Sequence, residues 1–319
     1  MRPRRNLVAK SVLSAPHFQD EQAAFDYVEA HLWPTGPTCP HCGNADSARI
    51  GRLQGKTTRL GLRKCYECKK PFTVRQGTIF ESSHLALHLW LQVIHLMCAS
   101  KKGISTRQIQ RMLQCSMKTA WHLSHRIRLA MTDGGLGSLG SAGEFVEVDE
   151  TYIGKKADVP KRRGNQHKHV VLTLVERGGA ARSFHIDKAS AREIKPILAK
   201  HMNKNSVLMT DEAKLYIQLG PMFADHQTVN HVHDEWVRGD AHTNTVESFF
   251  SVFKRGMRGI YQQCDERHLH RYLAEFDFRH TNRERYNAKG EPRGLDDTQR
   301  ATMALRGVVG KRLTYETVS

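Results

Sequence analysis

The sequence has no uninterrupted apolar run of the ~18–20 residues that a membrane-spanning helix needs. Its longest candidate, residues 85–99, is interrupted by His88, Gln92 and His95. The opening residues, MRPRRNLVAKSVLSAP, are basic but lack an apolar core of the kind that directs export, which predicts a cytoplasmic protein with no membrane partner. No stretch repeats another, so a solenoid or array is excluded. Acid is scarce: 32 Asp and Glu stand against 49 Lys and Arg, a net charge of +17. Cysteine is also too sparse and too unevenly placed for a secreted disulfide framework. Of seven cysteines, four form two C-x-x-C pairs, and Cys98, Cys115 and Cys264 are scattered and read as buried free thiols.

What is present is a soluble-type composition, 39% hydrophobic with a mean hydropathy of −0.54, in 319 residues. That length allows two or three domains, each with a core. The positive charge is front-loaded. Residues 1–132 carry 20 basic and 7 acidic side chains, and residues 133–319 carry 29 and 25. A folded basic segment of this kind favours a polyanion partner, most simply nucleic acid.

Residues 1–35 form an N-terminal segment with a helix over 18–32, where Phe18, Ala24, Phe25, Val28 and Leu32 recur at helical spacing. Residues 36–82 are cysteine-bearing and rich in turn residues. Residues 83–132 read as helical, with caps at Ser105 and Ser116. Residues 133–144, containing GGLGSLGSAG, read as a flexible linker. From 145 to 287 the pattern becomes α/β, with strands at 145–149, 170–176, 182–186 and 206–210 and helices at 189–202, 212–219, 242–258 and 266–278. Residues 288–319 form a polar tail, irregular at first.

Cys39-Pro-His-Cys42 and Cys65-Tyr-Glu-Cys68 are separated by 22 residues. A two-residue gap lets one tight turn offer both sulfurs to one ion, and four thiolates suit tetrahedral zinc and leave no open position. The pattern predicts a zinc ribbon holding one structural Zn2+, with Gly43 and Lys69 in the turns. Basic residues around it, among them Lys69, Lys70 and Arg75, make it a candidate platform for the DNA backbone. Next, 105–113, a turn at 114–116 and a helix from Met117 resemble a helix-turn-helix, whose second helix offers Lys118, His122 and Arg126 to DNA. His17, His122, His231, His233 and His242 also read as ordinary surface or core histidines.

Three carboxylates stand out beyond the linker. Asp149 ends FVEVD, Asp211 ends SVLMTD, and Glu247 lies on a helix, separated from Asp211 by 35 residues. Adjacent strand ends of an α/β sheet commonly build sites. Carboxylates without histidine or cysteine suit hard, oxygen-loving ions, hence two Mg2+ or Mn2+. Lys254 lies two helical turns beyond Glu247 on nearly the same face. Glu150 and Glu212 are neighbouring acids that alternation turns away.

The stretches CPHCG, CYECKKPFTVRQGTIFE, VEVDETYIGKK, VLMTDEAKLY and HTNTVESFFSVFKRGMRGIY, with YLAEFDFRHTNR, resemble insertion-sequence transposases of the ISXO-type group, within the DDE transposase superfamily. The resemblance spans about residues 18–287. It implies an RNase H-like catalytic core, a mixed sheet with flanking helices, over 145–287, preceded by the zinc ribbon and the helix-turn-helix-like domain. It implies a nucleoid-associated prokaryotic enzyme acting as a homodimer or larger on paired terminal inverted repeats and target DNA. By position, Asp149 and Asp211 are the first two catalytic carboxylates. The family varies between Asn and Glu at the third; Glu247 is the better cation ligand, and Asn244 stays open as a ligand or positioning group. Lys254 and Arg255 would hold phosphate. Rival readings are a DNA-binding regulator with an inactive nuclease-like domain, and a nuclease that cleaves without joining. A serine recombinase is disfavoured because no serine sits in a supporting arginine pattern.

Overall fold

The computed structural model describes residues 11–132, 137–157, 159–161, 163–229, 237–286 and 289–314. The chain forms two units. One comprises the residues up to Ala99, Arg107–Ala130 and those from Ala301 onward; the other comprises Ser100–Thr106 and Met131–Arg300.

The first unit begins with helix α1, Glu21–Leu32, capped by the Asp20 carboxylate, which accepts from the Ala23 N–H at 2.8 Å. A three-stranded antiparallel sheet follows: β1 (Ile50–Arg52), β2 (Arg63–Cys65) and β3 (Pro71–Phe72). Helices α2 (Leu87–Ala99), α3 (Thr106–Leu113) and α4 (Met117–Ala130) come next. Ser116 caps α4 by accepting from the Thr119 N–H at 3.1 Å. Glu21 accepts from the backbone N–H groups of Leu87 and His88 at the start of α2. A carboxylate satisfies these otherwise orphaned donors and complements the positive end of the helix dipole.

The second unit is an α/β layer. Its strands are β4 (Phe145–Ile153), β5 (His169–Glu176), β6 (Ala181–Ile186), β7 (Val207–Asp211) and β8 (Asp225–Val229), in the order β6-β5-β4-β7-β8. The pairs β6-β5 and β5-β4 are antiparallel, and β4-β7 and β7-β8 are parallel. The crossover from β6 to β7 carries α5 (Ala191–His201); α6 (Lys214–Ile217) lies between β7 and β8. Then come α7 (Asn244–Gly256), which continues as one π-helical turn over Met257–Tyr261, and α8 (Glu266–Asn282). This is the mixed sheet with flanking helices expected of an RNase H-like fold.

Strand alternation sorts the side chains into two cores. Val146, Val148, Leu172, Leu174 and Leu208 pack with Ile194 and Leu198 of α5 on one face. Val171, Val175 and Ala181 pack with Val246, Phe250, Phe253, Leu273 and Phe276 of α7 and α8 on the other. Gly103, at φ +100°, is required by close approach, since a Cβ there would lie 1.8 Å from the Tyr261 hydroxyl.

Three expectations change. β8 was not foreseen. Leu139, read within a flexible linker, is buried in the core and anchored at both polar groups: its N–H donates to the His201 carbonyl at 2.7 Å, and its carbonyl accepts from the Asn203 N–H at 2.8 Å. Residues 133–136 of that linker, with His231 and His233, lie outside the described residues. Just before the polar tail lies β9 (Arg285–Tyr286), and the tail itself contains β10 (Pro292–Arg293) and helix α9 (Asp297–Arg306). Its last stretch completes the first unit: the Ile79 N–H donates to the Val308 carbonyl at 3.3 Å, and the Gly310 N–H to the Gly77 carbonyl at 2.8 Å.

Candidate active site and metal centre

In the first unit, Cys39, Cys42, Cys65 and Cys68 bring their sulfurs within 4.8 Å of one another. The Cys39–Cys68 and Cys42–Cys65 sulfur separations are 3.7 Å. Sulfurs placed tetrahedrally at ~2.3 Å from zinc lie about 3.8 Å apart, so the donors fit that ion. Gly43 at φ +75° and Lys69 at φ +59° make the two left-handed turns, as their positions after each pair predict. The Asn44 side-chain amide points at the Cys65 sulfur. The thiols do not ionise together unaided. The backbone N–H of Cys68 pulls Cys65 down to about 6, against desolvation. Cys42, although the Asn44 N–H favours its thiolate, is pushed up to about 12 by desolvation and its three sulfur neighbours. A dication resolves that conflict. The four cysteines therefore fit a structural zinc ion.

In the second unit, β4 and β7 run parallel, with Phe145 opposite Val207 and Glu147 opposite Met209. Carried two residues past the last paired position, the same offset aligns Asp149 with Asp211. Both lie on the face covered by α7, which carries Glu247. Asp149 feels the charges of both other acids. Burial, then the charges of Glu150, Asp211 and Glu247, push Asp149 up to about 8, although its carboxylate accepts from the Glu150 N–H at 2.7 Å. Glu247 is held by the Thr243 hydroxyl, which donates to it at 2.8 Å. Asn244 is exposed at the first position of α7. Glu150 points to the opposite face, where the buried Tyr216 hydroxyl donates to it at 2.5 Å.

One residue of this cluster escaped the sequence reading. Glu147 has no exposed surface. It accepts from the N–H groups of Thr245 (2.8 Å) and Val246 (2.9 Å), the Thr245 hydroxyl (2.9 Å) and Arg177 Nε (2.7 Å). Arg177 also donates to the His242 carbonyl at 2.9 Å, and His242 Nδ1 lies 3.1 Å from Glu147. Glu147 thus fastens the N-terminus of α7 to β4. Asp149 lies two residues beyond Glu147, and Glu247 two beyond Thr245, so this clamp fixes the spacing of two of the three carboxylates. The signal was available: in FVEVD, alternation sends Glu147 to the same face as Asp149.

The basic residues separate into two groups. Lys69, Lys70, Lys118 and Arg255 are exposed. Arg75 instead donates to the carbonyls of Ser83 and Leu85 and to Glu21, each at 3.0 Å. Arg126 donates to the carbonyls of Ile79, Glu81 and Leu313, and His122 is buried. The two arginines hold the first unit together, and His122 is enclosed in it. Lys254 lies over the Phe250 ring and, with Lys168 and Arg258, lines a cavity of about 310 Å³.

Residues 141–281 match the ISXO2-like transposase domain, and residues 19–71 match the transposase zinc-ribbon domain. Over 282 residues the chain is 28% identical to an uncharacterized protein in transposable element ISH50 of Halobacterium salinarum, covering 82% of this chain and 91% of that protein. The two matched domains together take in the sulfur centre and the carboxylate-bearing sheet, and by both of them the chain belongs to the zinc-ribbon, ISXO2-like transposases of insertion sequences.

Proposed function

We propose that the protein binds the terminal inverted repeats of its element and catalyses DNA cleavage and strand transfer at the Asp149, Asp211 and Glu247 cluster. The observation that carries this is the placement of Asp149 and Asp211 on the paired strands β4 and β7, on the face where α7 brings Glu247, where burial and the neighbouring acids raise Asp149. An all-oxygen donor set suits Mg2+ or Mn2+. Bound there, such ions supply the Lewis acidity that activates a hydroxyl and stabilises the leaving oxygen of a phosphodiester.

The chain's own residues do the rest. Asp149 and Asp211 hold one edge of the site on adjacent rigid strands, and Glu247 closes it from α7. Glu147 keeps α7 in register. Lys254 and Arg255 attract the phosphate backbone, with Asn244 at the helix mouth as a further positioning group. Water attacks the phosphodiester at the element end and releases a 3′-hydroxyl. That hydroxyl then attacks a target phosphodiester, expelling a 3′-oxygen of the target strand. One phosphodiester replaces another, so no nucleotide triphosphate is consumed. Lys69, Lys70 and Lys118 give the first unit its DNA-backbone contacts. Two element ends are joined in concert, which calls for a homodimer or larger assembly at the nucleoid.

Asp149→Asn tests the assignment. The variant should still shift a labelled inverted-repeat duplex while losing Mg2+-dependent nicking and joining at least ~1000-fold. Strand transfer at the wild-type rate would overturn it. Wild-type cleavage without joined product would leave a nuclease.

A further inference from the structure

Three side chains outside the carboxylate cluster converge on one point of the second unit. His169 opens β5, and His185 lies on β6 opposite Val171, so both imidazoles occupy the sheet face that α8 covers. Glu266 is the first residue of α8. Its Oε1 lies 3.8 Å from His169 Nδ1 and 3.6 Å from His185 Nε2. The two rings are 5.3 Å apart and inclined at 67°.

Neither gap is a hydrogen bond, which would be about 2.7–3.2 Å. Both nitrogens are buried and have no hydrogen-bond partner among the described residues. Buried polar atoms are rarely left so, and each such atom calls for an explanation. We propose that His169, His185 and Glu266 hold a divalent transition-metal ion, zinc foremost. Ligands at about 2.0–2.1 Å from zinc, at tetrahedral to trigonal angles, lie about 3.3–3.6 Å apart; the two spacings to Glu266 are within a few tenths of an ångström of that range, and all three ligand atoms lie within 4.8 Å of one another.

The donor set decides the class of ion. Two imidazoles and one carboxylate suit zinc and its transition-metal neighbours; magnesium and calcium prefer oxygen alone. The site is distinct from the Asp149 cluster. Asp149 pairs with Thr173 on β5, and His169 lies four residues away on that strand, roughly 13 Å along it. The ion would staple the start of α8 to the two strands. Three protein ligands leave one position for water, reached from the side where Glu266 is half-exposed.

The full-length Asp149→Asn protein, in excess Mg2+, removes the carboxylate cluster from the count. Equilibrated with buffered free zinc and analysed for metal, it should hold two ions per chain, one on the ribbon sulfurs and one here. With Co2+ in place of zinc, the second ion should add weak visible bands without sulfur-to-metal charge transfer. Adding Glu266→Gln, at a half-exposed position, should remove that ion alone and leave the ribbon spectrum intact. His185→Gln should do the same. One ion per chain in the parent protein at saturating zinc, with only the sulfur spectrum in cobalt, would overturn the proposal whatever the variants do. The result is independent of DNA cleavage.

Discussion

In the ribbon, all four sulfurs come from two turns separated by 22 residues. At the sheet edge, Asp149, Asp211 and Glu247 come from two strands and a helix and meet only when the whole second unit has folded. The difference shows in what each centre depends on. The ribbon is too small to bury much apolar surface, and its core is little more than Cys39, Ile50, Cys65 and Phe72; its order comes from the ion. The carboxylates are held by a finished hydrophobic sandwich and by the Glu147 clamp, and burial with the neighbouring acids pushes Asp149 up to about 8. One centre makes its fold, and the other is imposed on a fold made elsewhere.

That contrast breaks first at the zinc. Cys65→Ser, or chelation of the wild type, should abolish ribbon order and make the remaining cluster thiols reactive to a thiol reagent, since structural zinc contributes on the order of 10 kcal/mol to such small sites. Retained zinc with protected thiols in the variant would show that the ribbon's packing sufficed. The next largest effect concerns Glu147. Glu147→Ala strands Arg177 and two helix N–H groups, and should cost about 3–5 kcal/mol in urea unfolding of the second unit. A loss below ~1 kcal/mol would mean that α7 is held by its phenylalanines alone.

Smaller still is the effect of pH on the metal-free protein. Asp149 in the folded state keeps a proton up to about 8, whereas the unfolded chain releases it near 3.8. A raised folded value stabilises fully below the unfolded one, so stability should fall as pH climbs between those limits, by at most a few kcal/mol. Mg2+ should offset the fall, and Asp149→Asn should flatten it. Thermal melts across that range, with and without Mg2+, measure both slopes. The smallest effect belongs to the ribbon surface. Replacing Lys69 and Lys70 together by Ala should weaken DNA binding only several-fold at low salt and reduce the log–log salt dependence by about two. Anisotropy titrations over a salt series give that slope.

The cysteines were legible because their information is local: two spacings and two turn residues suffice. Asp149 and Asp211 could be placed on strands because each ends an apolar run; β7 does end at Asp211, but β4 runs on to Ile153, so the run located the strand of Asp149 and not its end. Where structure depends on what surrounds a residue, the sequence said less. Arg75 and Arg126 have the charge of DNA ligands, yet their guanidinium groups are enclosed by backbone carbonyls that no spacing rule would gather. β8, with only Val229 buried in DHQTV, has too little alternation to register as a strand. Helix α9 follows a stretch punctuated by Gly290, Pro292 and Gly294, which masks the ordered segment beyond. Glu147 was overlooked because its alternation marks it as facing inward, and an inward acid is intelligible only once Arg177 and the start of α7 are known to meet it.

The return of residues 301–314 to the first unit has a consequence for synthesis. The strand-like contact of Gly77 with Gly310, and the grip of Arg126 on the Leu313 carbonyl, join positions made at opposite ends of translation. The ribosome therefore delivers the sheet-bearing unit whole before the earlier one has its last pieces. A product truncated between residues 287 and 301 would carry Asp149, Asp211, Glu247 and Glu266 and still lack the last pieces of the first unit.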